Sequence, residues 1–287
     1  MLLQPMTKPP HLSPSPARRN AADAALERAT LALQMGRPGE AERLAEGVLK
    51  ADRGNSAAAV MLGQALLMQN RAAQAIVPLE RAARRGDDPR IETLLAAALG
   101  AAGRRDEALD QLRRTTARRP AFPPAFREYA DQLAKAGRLD EAIAVAESGL
   151  RLTPDVVELQ IDLGRLYLSR NDRAQARSML SRALAAAPGR RDVQAALARV
   201  MVFDGEYATA TDIYRHGLAR QPDDAMMRVD LGICQLELGA RNEGEASLRA
   251  ATRGRPEMLD RAINALASAS HGRFFFRPSA AVKFLGG

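Results

Sequence analysis

Five prolines, Pro120, Pro154, Pro188, Pro222 and Pro256, stand 34 residues apart. A fixed period of that length specifies a chain of stacked helical hairpins rather than a single globular core. Seventeen residues after each of the first four lies a glycine or asparagine: Gly137, Asn171, Gly205 and Gly239. The same series continues backward to Gly103, Asn70 and Gly36, with one residue missing between Asn70 and Gly103. These residue types tolerate the left-handed conformation that closes a helix, so each marks the turn between two helices of a hairpin.

Small residues recur around the turns. Five residues after each come Ala41, Ala75, Ala108, Ala142, Ala176, Ala210 and Gly244; seven before each come Ala29, Gly63, Ala96, Ala130, Gly164, Ala198 and Gly232. A larger side chain at either place would push the paired helices apart, whereas Leu62, Leu95, Tyr129, Leu163, Leu197 and Leu231 have the size to fill the core between them. One hairpin cannot bury this face alone, so neighbours have to stack.

With its small-residue, turn and closing-proline positions, the chain resembles the tetratricopeptide repeat (TPR) family. The best copies run VELQIDLGRLYLSRNDRAQARSMLSRALAAAPGR from Val157 and PPAFREYADQLAKAGRLDEAIAVAESGLRLTPDV from Pro123, and the resemblance spans about 22–258 as seven repeats. It departs from the family in lacking the early tryptophan, in having Arg28 where a leucine is usual, and in missing the closing proline of repeats one and two. The resemblance implies an all-α, right-handed TPR solenoid of about seven helix-turn-helix repeats.

Residues 1–20 are rich in proline, serine and basic residues, and are expected to form a disordered arm ahead of repeats filling 21–258. Residues 259–270 carry apolar residues at helical spacing and are expected to supply the capping helix that solenoids need, leaving a phenylalanine-rich tail at 271–287. The composition predicts neither a secretory signal nor a membrane span, and so a cytoplasmic protein.

The net charge is +8, and only four of the 42 basic residues are lysines. The densest cluster is Arg104, Arg105, Arg113, Arg114, Arg118 and Arg119, a candidate for an acidic partner because guanidinium forks match phosphates and carboxylates. Acids are interspersed and no aromatic platform interrupts the run, which disfavours nucleic acid. Cys234 stands alone and reads as a packed thiol. His11, His216 and His271 are scattered, the glycines belong to turns, and acidic pairs such as Asp106/Glu107 and Asp140/Glu141 open second helices. The expectation is no catalytic residue, no metal and no cofactor.

Function is then expected on the face that first helices line in TPR proteins. Carried over by the resemblance, the partner-binding positions are Arg127, Asp131, Lys135, Glu158, Asp162, Arg165, Asp192, Arg199, Phe203, Met226 and Ile233, with Val60, Met61, Gln64 and Thr93 in earlier repeats and Val229 and Asp230 in the last. The lysine and asparagine set of the TPR carboxylate clamp is not matched, so the expected ligand is a protein or peptide segment with both apolar and charged residues.

Phe274, Phe275, Phe276 and Phe284 crowd the tail. An aromatic patch is costly to leave in water, so it either folds back over the end of the solenoid or docks a partner or a second copy of the chain. The segment HGRFFFRPSAAVKFL is also similar to the end of bacterial TPR proteins of Flp/Tad-type pilus assembly. The reading is a non-enzymatic protein-binding scaffold; the alternatives are an assembly factor of a pilus or secretion system and a basic adaptor for nucleic acid.

Overall fold

A computed structural model of the chain describes residues 16–286. They divide into two compact units after Gln132. In the first, the helices are α1 (Pro16–Gln34), α2 (Pro38–Ala51), α3 (Ser56–Met68), α4 (Ala72–Ala83), α5 (Pro89–Ala101), α6 (Arg105–Thr116) and most of α7 (Pro123–Lys135). The second unit takes the end of α7 and continues with α8 (Leu139–Leu152), α9 (Val157–Ser169), α10 (Arg173–Ala186), α11 (Arg191–Phe203), α12 (Tyr207–Arg220), α13 (Ala225–Glu237) and α14 (Arg241–Thr252). A short 3-10 turn (Pro256–Met258), α15 (Leu259–Ser268) and α16 (Pro278–Leu285) complete it. The described residues contain no strand.

Each hairpin closes by the same chemistry. Gly36, Asn70, Gly103, Gly137, Asn171, Gly205 and Gly239 all have positive φ, from 58° at Asn70 to 84° at Gly103. The next amide then reaches back five residues to a carbonyl of the helix just ended, as Arg71 N–H does to Leu66 and Arg138 N–H to Leu133, both at 2.9 Å. Carbonyls otherwise orphaned at a helix end are satisfied within the turn. Beyond the second helices, the closing prolines have a use that spacing alone did not reveal. The carbonyls of Pro154 and Pro188 accept from Gln160 Nε2 at 3.1 Å and Gln194 Nε2 at 2.9 Å, and that of Pro222 accepts from Arg228. A side chain six residues downstream thereby ties each first helix to the loop that leads into it.

The small residues stand where the helices cross. Ala29, Ala41, Ala75, Ala96, Ala108, Ala142, Ala176, Ala198 and Ala210 have no exposed surface, and Gly63, Gly164, Gly232 and Gly244 are buried. From α1 to α6 and from α8 to α16 consecutive helices pack together, and alternate ones also touch: α1 with α3 and α3 with α5 in the first unit, α9 with α11 and α13 with α15 in the second. First helices in each of these sets therefore form a row, as in an all-α solenoid. Leu62, Leu66, Leu79, Ile91, Leu95 and Leu112 build the core of the first unit. Val229, Leu236, Leu248, Leu266 and Leu285 build that of the C-terminal end.

One boundary differs from expectation. Helix α1 already begins at Pro16, inside the stretch assigned to a disordered arm, while residues 1–15 lie outside the described residues. Within the tail, α16 packs on α14 and α15.

Candidate partner-binding face

In the second unit, the period places Glu158 and Asp192 in the first turns of α9 and α11, where carboxylates suit the helix dipole. Arg190, just ahead of α11, joins them. Its guanidinium donates to both Asp192 oxygens, at 3.1 and 2.8 Å, and to Glu158 Oε1. That fork holds the Asp192 carboxyl below the usual carboxylate range and raises the Arg190 pKa further. Arg165 stands 4.0 Å from Asp162 and 4.0 Å from Asp192. Four of the expected site residues, Glu158, Asp162, Arg165 and Asp192, therefore belong to one network that Arg190 centres. Sequence reasoning missed Arg190, although an arginine two residues before a first-turn acid, one repeat after another acid, was a usable signal.

Between α9 and α11 lies a cleft of about 470 Å3 lined by Arg165, Leu168, Ser169, Asp192, Ala195, Ala196, Arg199 and Phe203. Phe203 keeps 56% of its surface open, although its backbone carbonyl is held by Arg173 at 2.6 Å. Arg199 is exposed and has no ion pair or hydrogen bond among the described residues. The cleft thus offers a free guanidinium, a ring anchored at its base, and an apolar floor of leucine and alanine. That combination can receive a segment with one apolar side chain and one carboxylate.

The remaining expected positions are distributed differently. Arg127, Asp131 and Lys135 share α7, and each already has an interaction partner. Met226 is exposed at the start of α13, but Ile233 on the same helix packs against the C-terminal core and Val229 is fully buried. Those two side chains face inward because α15 covers that side of α13. Asp230 is paired with Arg261 of α15 at 2.6 Å. In the first unit Val60 and Met61 pack on the core, Gln64 is exposed, and the Thr93 hydroxyl donates to its own helix at Pro89 O, 2.7 Å.

The arginine run around α6 is mostly engaged internally. Arg104 pairs with Glu107 at 2.6 Å, Arg113 with Asp110 at 3.0 Å, and Arg114 donates to Gln111 at 3.0 Å. Arg118 reaches the buried Glu92 at 2.5 Å, which also accepts from Thr115 at 3.0 Å, and Arg119 donates to backbone carbonyls. Cys234 is fully buried, and burial pushes its thiol up to about 12. The described residues contain no group of three or more His, Cys, Asp or Glu able to hold a metal ion, and no helix long and apolar enough to cross a membrane.

The four tail phenylalanines divide into two pairs. Phe275 and Phe284 pack against the C-terminal core with ring centroids 5.3 Å apart, and Arg249 and Arg273 lie over the Phe284 ring at 4.9 and 4.8 Å. Leu285 is buried beneath them, and its carbonyl accepts from Thr252 Oγ1 at 2.9 Å. Phe274 and Phe276 instead point outward, 70% and 97% exposed, edge to face at 5.7 Å. Alternation along an extended stretch puts one ring in the core and its two neighbours in solvent.

Comparison with known proteins agrees with this architecture. A tetratricopeptide repeat profile matches residues 32–98 and 133–200, and a second profile of the same description matches 93–156. No curated protein matches the chain. Among solved structures, a TPR protein of Thermus thermophilus is 23% identical, with 63% of this chain and 100% of that one covered and a TM-score of 0.57. Human IFIT1, solved as a dimer with m7Gppp-AAAA, is 18% identical over 85% of this chain and 62% of that one, with a TM-score of 0.64. Pseudomonas aeruginosa pilF is 16% identical over 72% and 94%, with a TM-score of 0.55. At these identities the likeness is one of fold.

Proposed function

We propose that this chain, which belongs to the tetratricopeptide repeat family, is a non-enzymatic scaffold whose α9–α11 face binds a peptide or helix of a partner protein. The observation that carries the reading is the cleft in which Arg165, Asp192, Arg199 and Phe203 meet around an apolar floor. Arg199 and Phe203 are its open contacts, because Arg165 and Asp192 are held in the Arg190 network. The ligand that fits presents a leucine-sized or aromatic side chain to Phe203 and Leu168, with a carboxylate within reach of Arg199. Burying the exposed part of Phe203 is worth about 1–2 kcal/mol, a factor of roughly ten in affinity.

A photo-crosslinking residue at Phe203 in the full chain, followed by mass spectrometry, tests the assignment. The expected result is a discrete adduct that disappears in Arg199→Ala while circular dichroism stays unchanged. An adduct pattern indifferent to Arg199→Ala overturns it. The alternative of assembly support for a pilus or secretion machine rests on the reading of the tail sequence alone, and predicts co-purification with an ATPase or secretion component. A nucleic-acid role draws little support from the arginine run, whose guanidinium groups are largely engaged within the chain.

A further inference from the structure

The geometry points to a second docking surface, on the second-helix side of the hairpins in the first unit: a basic-rimmed cleft between α2 and α4 that fits an acidic, amphipathic peptide segment. The cleft has a volume of about 610 Å3, within the range of ordinary ligand sites. Its floor is apolar, with Leu49 of α2, Leu62 of α3 and the ring of Pro78 of α4 among the lining residues. Pro78 lies inside α4, where a proline sacrifices a helical hydrogen bond. Its ring adds a rigid apolar surface to the cleft.

The rim carries Lys50, Arg53, Arg81 and Arg85 against a single acid, Glu46. All four cations are exposed, and none has an acidic partner among the described residues; Arg85 donates only to the backbone carbonyl of Arg53, at 2.6 Å. The neighbouring cleft between α4 and α6, of about 500 Å3, differs in this respect. There Glu80, Glu92, Glu107 and Asp110 accompany Arg84, Arg114 and Arg118, and Arg118 is bound to Glu92. Uncompensated positive charge is thus concentrated at the α2–α4 cleft, and its field draws in a ligand of opposite sign.

Apolar floor and cationic rim together select the ligand class. A peptide alternating carboxylates with leucines satisfies both, whereas a polyanion without apolar groups satisfies only the rim. The cleft has no aromatic side chain in its lining on which bases could stack.

Fluorescence anisotropy with the full-length protein tests the inference. The probe is a labelled peptide of repeating Glu-Glu-Leu-Leu units about 12 residues long, roughly 18 Å as a helix. The expected result is saturable, salt-weakened binding that falls about tenfold or more in Arg81→Glu/Arg85→Glu. Binding should also fall about tenfold when every leucine of the probe becomes serine. The charge-matched pair Arg113→Glu/Arg119→Glu controls for net charge and should leave binding within about twofold. Circular dichroism establishes that both variants fold, and Lys50→Glu/Arg53→Glu supplies a second rim variant on α2. Equal losses in the rim and control pairs overturn the proposal, as does poly-glutamate or oligo-dT binding as tightly as the probe.

Discussion

Replacing Gly164 by alanine tests the idea that helix spacing, rather than helix propensity, dictates the small residue in α9. A Cβ built at Gly164 would lie 2.5 Å from Leu180 Cγ, 2.8 Å from its Cδ2 and 3.2 Å from its Cδ1. Carbon atoms pack comfortably at about 3.5–4.0 Å, so the overlap approaches 1 Å, and Leu180 is fully buried with little room to yield. Overpacking of this kind costs about 1–3 kcal/mol. Alanine also favours a helix interior over glycine by about 1 kcal/mol. The net change for Gly164→Ala should therefore be a loss of up to about 2 kcal/mol, where propensity alone forecasts a gain.

A double-mutant cycle separates the two terms. Leu180→Ala alone should cost about 2–5 kcal/mol through its cavity. Because it removes all three overlapping atoms, it should cost at least about 1 kcal/mol less in the Gly164→Ala background. Urea unfolding followed by circular dichroism gives the four stabilities. Gly47 supplies the propensity reference: it is exposed within α2, and no atom lies within 4 Å of its would-be Cβ. Gly47→Ala should stabilise by about 0.5–1 kcal/mol. If Gly164→Ala matches Gly47→Ala and the cycle shows no coupling, the crossing is looser than the distances imply and the argument fails.

Other predictions concern the turns, the network, the thiol and the tail. Gly137 has φ of 76°, so Gly137→Ala should lower thermal stability by about 1–2 kcal/mol, whereas Asn171→Gly at the equivalent turn should change it by only a few tenths. The depressed Asp192 pKa contributes stability that is present above its unfolded value of about 3.9 and is lost as pH falls through the folded value. Arg190→Ala should flatten that acid limb of the stability curve, and an Asp192 titration by NMR that stays unmoved counts against the network. Cys234, raised from 9.0 to about 12, should ignore a thiol reagent at pH 8 until denaturant is added, because roughly one molecule in ten thousand carries the thiolate. The stability linked to that thiol is complete below about pH 8.5 and declines as pH rises toward the folded value. Phe284→Ala should cost about 2–3 kcal/mol, whereas Phe276→Ser, at a 97% exposed position, should fall within about 0.5 kcal/mol.

What the sequence alone determined follows from its period. A turn needing positive φ admits glycine and asparagine, and a close helix crossing admits glycine and alanine, so Gly36, Asn70, Ala41 and Gly63 announce their roles by identity and spacing. The hairpins, their register and their buried small residues were legible for that reason. Interactions between repeats leave no such imprint. Glu158, Arg190 and Asp192 meet only when α9 and α11 lie side by side, and the same stacking turns Ile233 inward beneath α15 while leaving Phe203 open. Charge count points to the arginines near α6 as a surface for acidic partners, yet local pairs along α6 and the reach of Arg118 to Glu92 on α5 engage much of their charge. The uncompensated cations gather instead between α2 and α4, where two short basic stretches, Lys50 with Arg53 and Arg81 with Arg85, meet across the cleft although they lie about 30 residues apart in sequence. Tertiary structure decided the tail as well, since only a core with an open end can draw in Phe275 and Phe284 and leave Phe274 and Phe276 in water. Local stereochemistry is written residue by residue, whereas the fate of a charge or a ring depends on which neighbour the fold brings to it.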